Sequence, residues 1–227
     1  MRIFLALPHI SAMEILLQTV YSGFMQSAAH PFVKWAGGKT QLLPEIRKHY
    51  PQEIKKYCEP FVGGGAVLFD VLQKCRLEEV LVNDVNAELI NTYSHIKNSC
   101  NLLIEQLSEL QQKYKSQTLE ENKILFYEKR LRYNELKLSK NDAENLEKAA
   151  LFIFLNKTCF NGLYRVNKKG EFNVPFNNAK NPLICDEENQ YVPAKAVGLS
   201  ALRYCSFRRN LWLLWNFGAP IPHAEII

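Results

Sequence analysis

The chain has 227 residues, 47% of them hydrophobic and 22% charged, with 10 Gly and 10 Pro. That balance excludes a disordered or collagen-like chain and leaves enough apolar material for one ordinary domain, or one large and one small unit. The formal net charge of +5 permits a nucleic-acid partner without requiring one.

The charge is unevenly placed. Residues 111–180 carry 14 basic and 8 acidic side chains, a net of +6, whereas the first 110 carry 10 and 11. A localised excess fits a phosphate-contacting surface, and it fits equally a solvated helical face rich in Lys and Glu. The six cysteines, at 58, 75, 100, 159, 185 and 205, form no C-x-x-C pair. They read as reduced thiols of a cytoplasmic protein, with no metal site expected. No apolar stretch nears the roughly 18 residues of a membrane span, so no membrane partner is expected.

In chain order, residues 1–29 form an atypical N-terminal extension, with Met25 a candidate start. Next, FVKWAGGKT ends in Gly37-Gly38-Lys39-Thr40, which imitates a phosphate-cradling loop. That loop needs glycine at position 33, where Val stands, so a nucleoside triphosphatase is the weaker reading. Trp35 could instead stack on a purine, and Lys39 could meet a carboxylate.

The run from Lys56 to Phe61 ends at Gly63-Gly64-Gly65. AVLFDVLQKC follows with helical spacing through Val67, Val71 and Leu72, and Val80-Leu81-Val82 then reads as a strand tipped by Asp84. Strand, glycine turn, helix, strand and acidic residue is the order of a nucleotide-binding βαβ unit. The turn lacks the G-x-G-x-x-G of a dinucleotide site, so a nucleoside without phosphates fits as well.

From Ala87 to about Asn156 the pattern is helical. Leu103, Leu107, Leu110 and Tyr114 share one helix face, and Asn141 with Glu144 reads as a capping box. The loop NKTCFNGLYRVNKKGEFNVPF, 156–176, mixes Asn156, Asn161, Asn167 and Asn173 with Arg165, lysines, Phe160 and Tyr164. Asn pairs with adenine, Arg with guanine, and an aromatic ring can wedge between bases. Asn161-Gly162 and Lys169-Gly170 mark a hairpin or tight loop.

Four blocks, FVKWAGGKTQLLPEI, CEPFVGGGAVLFD, LVNDVNAELINTY and the 156–176 loop, resemble in content and order the Dam-type N6-adenine DNA methyltransferases. The resemblance implies an α/β fold, a Rossmann-like methyltransferase sheet with a helical target-recognition insert. It implies S-adenosylmethionine as cofactor and double-stranded DNA, of GATC type, as partner. Trp35, Lys39, Glu59, Pro60, Phe61, Gly63 and Gly65 would line the cofactor pocket, and Asp84 would hold the ribose. Lys34, Phe160, Asn161, Arg165 and Pro175 would contact DNA, with Phe160 at the target base pair and Arg165 on a guanine. The implied division is a cofactor part at 30–90, a DNA-reading insert at 91–180 and a divergent tail at 181–227.

Such enzymes flip the adenine out of the helix. By the resemblance, they grip its N6 with Asp-Pro-Pro-Tyr or a close variant. This chain contains no Pro-Pro. The expectation is that the resemblance stops near Asn189 through a shifted reading frame, that the catalytic and later strands are absent, and that methyl transfer is lost. The other reading is a non-catalytic, sequence-selective DNA-binding protein.

Overall fold

Three short parallel strands form one sheet. The computed structural model describes residues 29–75, 77–139, 145–187, 189 and 203–206. Strand β1 spans Lys56–Glu59 and β2 spans Glu79–Asp84, pairing in parallel from Lys56 opposite Glu79 to Glu59 opposite Val82. Between them, helix α1 (Ala66–Lys74) makes the crossover that a parallel pair requires. Val80, Leu81 and Val82 are all buried, as expected of a strand covered on both faces.

Strand β3, Arg203–Ser206, pairs with the other edge of β2. The segment 181–227, read from sequence as a divergent tail, therefore places one strand in the sheet. Among the described residues β2 is the central strand, and β1 and β3 each have a strand on one side only.

The helical half follows the predicted pattern with sharper boundaries. Helix α2 (Ala87–Asn98) starts where the Asn86 side chain accepts the N–H groups of Glu88 and Leu89. Helix α3 (Cys100–Ser116) buries Leu103, Leu107, Leu110 and Tyr114, the stripe read from their spacing. Helix α4 (Leu119–Leu138) opens on a capping box between Thr118 and Glu121 that the sequence reading overlooked. The box expected at Asn141 and Glu144 lies outside the described residues, as do residues 1–28 and the tail around Trp212 and Trp215.

Helix α5 (Asn145–Thr158) is buried continuously from Ala149 to Asn156, which a one-sided amphipathic helix cannot be. It packs against α2, α3 and α4 and forms the axis of this half. Phe154, fully buried, touches the Tyr114 ring edge-on at 6.3 Å. Truncating a ring so placed typically costs about 3–5 kcal/mol. The C-terminal end of this buried axis runs directly into the 156–176 loop.

Candidate functional site

The glycine turn after β1 is tight. Gly63 and Gly65 have φ of +51° and +81°, values side chains rarely adopt. A Cβ on Gly65 would meet the Phe69 ring at 2.9 Å, and one on Gly63 would meet the edge of Trp35 at 2.9 Å. The Asp84 carboxylate closes the turn from the tip of β2, accepting the N–H of Gly63 at 2.9 Å and that of Asn86 at 3.0 Å.

Glu59, at the tip of β1, is buried and receives hydrogen bonds from Tyr57 Oη (2.7 Å) and Lys39 Nζ (3.2 Å). Burial raises its carboxyl above the ordinary value, and the bonds from Tyr57 and Lys39 offset only part of that. Lys39 also donates to the carbonyl of Phe61 at 3.4 Å. Its predicted carboxylate partner is therefore the protein's own Glu59.

These groups line an open cleft of about 940 Å³. Of the residues expected around a cofactor, Trp35, Lys39, Glu59, Phe61, Gly63, Gly65 and Asp84 all face it; Pro60 does not. Its wall holds two buried carboxylates, Glu59 and Asp84, and the exposed apolar side chains of Phe61 and Val85. That combination suits an uncharged sugar with hydroxyl donors attached to a flat apolar base. Among the wall residues that sequence reading missed are His30 and Lys157. Burial lowers the Lys157 ammonium, opposed by nearby Asp186 and reinforced by Lys34. Lys157 sits in the last turn of α5, in a stretch whose sequence reads as a polar loop, so nothing in the sequence signals such a place.

The second half of the site is the 156–176 loop, a hairpin bridged at Cys159–Phe176 and Val166–Phe172. Helix α4 holds it along one face. Arg130 donates to Val174 O, Asn134 exchanges two bonds with Phe172, and Lys137 donates to Gly170 O. These residues recur at i, i+4 and i+7, the helical repeat.

The predicted DNA residues gather here. Phe160 is half exposed, and its N–H donates to Pro175 O at 2.9 Å. Asn161 is exposed with φ +54°. Arg165 is exposed, and its guanidinium donates to Asn173 Oδ1 at 2.8 Å and Asn173 O at 3.3 Å, which orients it. Lys34 joins them because Gly162 lies against its side chain.

The loop's other asparagines are not free readers. Asn167 is consumed by the tip of the hairpin, where its Oδ1 accepts from Lys169 and Glu171. Asn173 orients Arg165. Asn156 is buried and bonded to Lys34 and Gly162. Of the four, only Asn161, the one the resemblance assigns to DNA, has its side chain uncommitted by any of these bonds.

A model of the D12 class N6 adenine-specific DNA methyltransferases matches residues 35–209, which spans both the cleft and the hairpin. The chain belongs to this family. The match corrects the expectation that the family pattern ends near Asn189, since it runs on through β3 to residue 209. The Type II methyltransferase M.MjaIII of Methanocaldococcus jannaschii is 52% identical over 164 residues, covering 70% of this chain and 56% of that protein. M1.LlaDCHI of Lactococcus lactis subsp. cremoris, also named a Type II methyltransferase, is 39% identical over 158 residues, 70% of this chain and 51% of that protein. A DNA adenine methylase of Haemophilus influenzae is 34% identical over 180 residues, 79% of this chain and 58% of that protein. The chain spans about half the length of these relatives.

Among the described residues of this D12-class chain, no helix is long and apolar enough to cross a membrane. None of them form a cluster of three or more His, Cys, Asp or Glu able to hold a metal ion. Burial pushes the Cys100, Cys159 and Cys185 thiols up to about 11, so they stay protonated and unreactive near neutral pH.

Proposed function

We propose that this chain provides the cofactor-binding and DNA-reading parts of an adenine-N6 DNA methyltransferase of GATC type, and that the 227 residues by themselves transfer no methyl group. The observation that carries the first half is the cleft in which Asp84 locks the Gly63 turn beside buried Glu59. S-adenosylmethionine would supply an electrophilic sulfonium methyl there. Asp84 would accept the ribose hydroxyls, with its position already fixed by two backbone N–H groups. Phe61 and Val85 would cover the purine faces and exclude water from them.

On the DNA side, Arg165 would donate its outward guanidinium edge to a guanine, a bidentate pairing worth about 1–3 kcal/mol of discrimination. Phe160 would wedge at the target pair, since N6 is inaccessible inside the stack. Lys34 would add a further contact beside Gly162. The absence of Pro-Pro from the sequence carries the second half. Without the two acceptors that orient N6, both positioning and charge stabilisation are missing.

The test is a pair of assays on the full chain with a GATC duplex and methyl-labelled S-adenosylmethionine. The expected result is selective duplex binding with no label in adenine. Label incorporation would overturn the claim of lost catalysis, and equal binding to a duplex lacking GATC would overturn the assigned target.

A further inference from the structure

The cleft and the hairpin are not independent. Asn156 lies near the end of α5, only 4% exposed, and its amide is fully engaged. Its Oδ1 accepts the N–H of Lys34 at 2.9 Å. Its Nδ2 donates to Lys34 O at 2.9 Å and to Gly162 O at 2.7 Å. Lys34 is thus held through both its backbone groups, as a strand neighbour would hold it, by a side chain that also holds the DNA-facing turn. The fit has no slack: Gly162 has φ +64°, and a Cβ there would stand 2.6 Å from the Lys34 Cβ.

The next residue repeats the connection. The Trp35 ring lies 5.8 Å from the Tyr164 ring at an interplanar angle of 28°. Its edge abuts Gly63 of the cofactor turn. Lys34 and Trp35 line the cleft, whereas Gly162 and Tyr164 belong to the hairpin. Two adjacent residues of one segment therefore bind the two halves together, one by amide bonds and one by ring stacking.

We propose that Asn156 is a positioning residue that makes occupancy of the cleft and DNA binding by the hairpin interdependent. The proposal rests on the reading of the cleft as a cofactor site and of the hairpin as a DNA face. A ligand that fixes Lys34 and Trp35 fixes the turn through Asn156 and Tyr164, so the second ligand meets a surface already ordered. By linkage the effect is reciprocal, and such couplings commonly amount to about 5–150-fold in affinity.

The test measures one ratio on the full chain: the Kd for a GATC duplex without, over that with, saturating S-adenosylhomocysteine, a probe that carries no transferable methyl. The intact chain should give a ratio of at least about 5. In Asn156→Asp the carboxylate still accepts from Lys34 N–H but donates to neither carbonyl, and the ratio should fall below about 2 in that same range. Tyr164→Leu, which leaves the buried amide bonds in place, should lower the ratio as well, and it decides the matter if the Asp variant does not fold.

An intact chain that binds both ligands with a ratio of 1 overturns the proposal and leaves the functional reading standing. So does a folded Asn156→Asp chain with the full ratio. A chain that binds neither ligand overturns the functional reading, and this proposal with it.

Discussion

Asp84 and Gly63 stand 21 positions apart in the chain, yet the Asp84 Oδ2 accepts the Gly63 N–H at 2.9 Å. The bond joins the tip of one strand to the turn after its neighbour and sets a buried carboxylate in the wall of the cleft. Asp84→Ala should therefore do more to ligand affinity than to the fold. Loss of a charged acceptor is worth about 1.5–3 kcal/mol, or about 10- to 100-fold in Kd for S-adenosylmethionine. Equilibrium dialysis against the intact chain reads this directly, and a change under about twofold would remove Asp84 from the site.

Gly65→Ala tests the turn itself. At φ +81° with the Phe69 ring in the way, a methyl group must displace the ring or distort the backbone. Overpacking of this kind costs about 1–3 kcal/mol, which urea unfolding would show as a lowered midpoint.

The hairpin makes a different prediction. Arg165→Ala should cost about 1–3 kcal/mol at one base pair and little elsewhere, if it reads a base. Asn173→Ala frees the guanidinium from its orienting acceptor and should blur discrimination at the same pair while leaving overall affinity nearly unchanged. Competition binding with singly substituted duplexes separates the two, and a uniform loss for Arg165→Ala would make it a phosphate contact.

Acid stability has a defined source. Burial alone would raise the Asp70 carboxyl, but bonds from Arg47, Lys74 and Tyr50 outweigh it and hold the group below its ordinary value. The bond from Arg132 holds Glu147 low in the same sense. A depressed carboxyl contributes stability that is present above its unfolded pKa, about 3.9 for Asp, and is lost as pH falls through its folded value. Glu59 is raised and acts oppositely, favouring the fold at low pH and losing that contribution as pH rises through its folded value. Asp70→Asn should flatten the acid limb of a stability profile taken between pH 7 and 3, and an unchanged limb would show that the network is not its origin.

The sequence made some of this legible and hid the rest for physical reasons. The βαβ order, the turn and Asp84 were readable because glycines at positive φ and a strand-tip carboxylate leave few alternatives. The stripe at Leu103, Leu107, Leu110 and Tyr114 was readable because one face of α3 is buried. Helix α5 is buried too evenly to show a period, and the roles of Asn156 and Asn173 depend on partners 122 and 8 positions away. Strand β3 escaped notice because RYCS is short and pairs with a strand more than a hundred residues earlier. The clamp of Arg130, Asn134 and Lys137 on the hairpin looked like an ordinary solvated helix face until its carbonyl partners were in place.

The cleft between the Gly63 turn and Asp84 should bind its cofactor in this chain alone. S-adenosylhomocysteine titrated into the full chain in a calorimeter reads that binding. The expected result is saturable binding with a single site per chain. No heat of binding at ligand concentrations up to about 1 mM, which corresponds to roughly −4 kcal/mol, would contradict it.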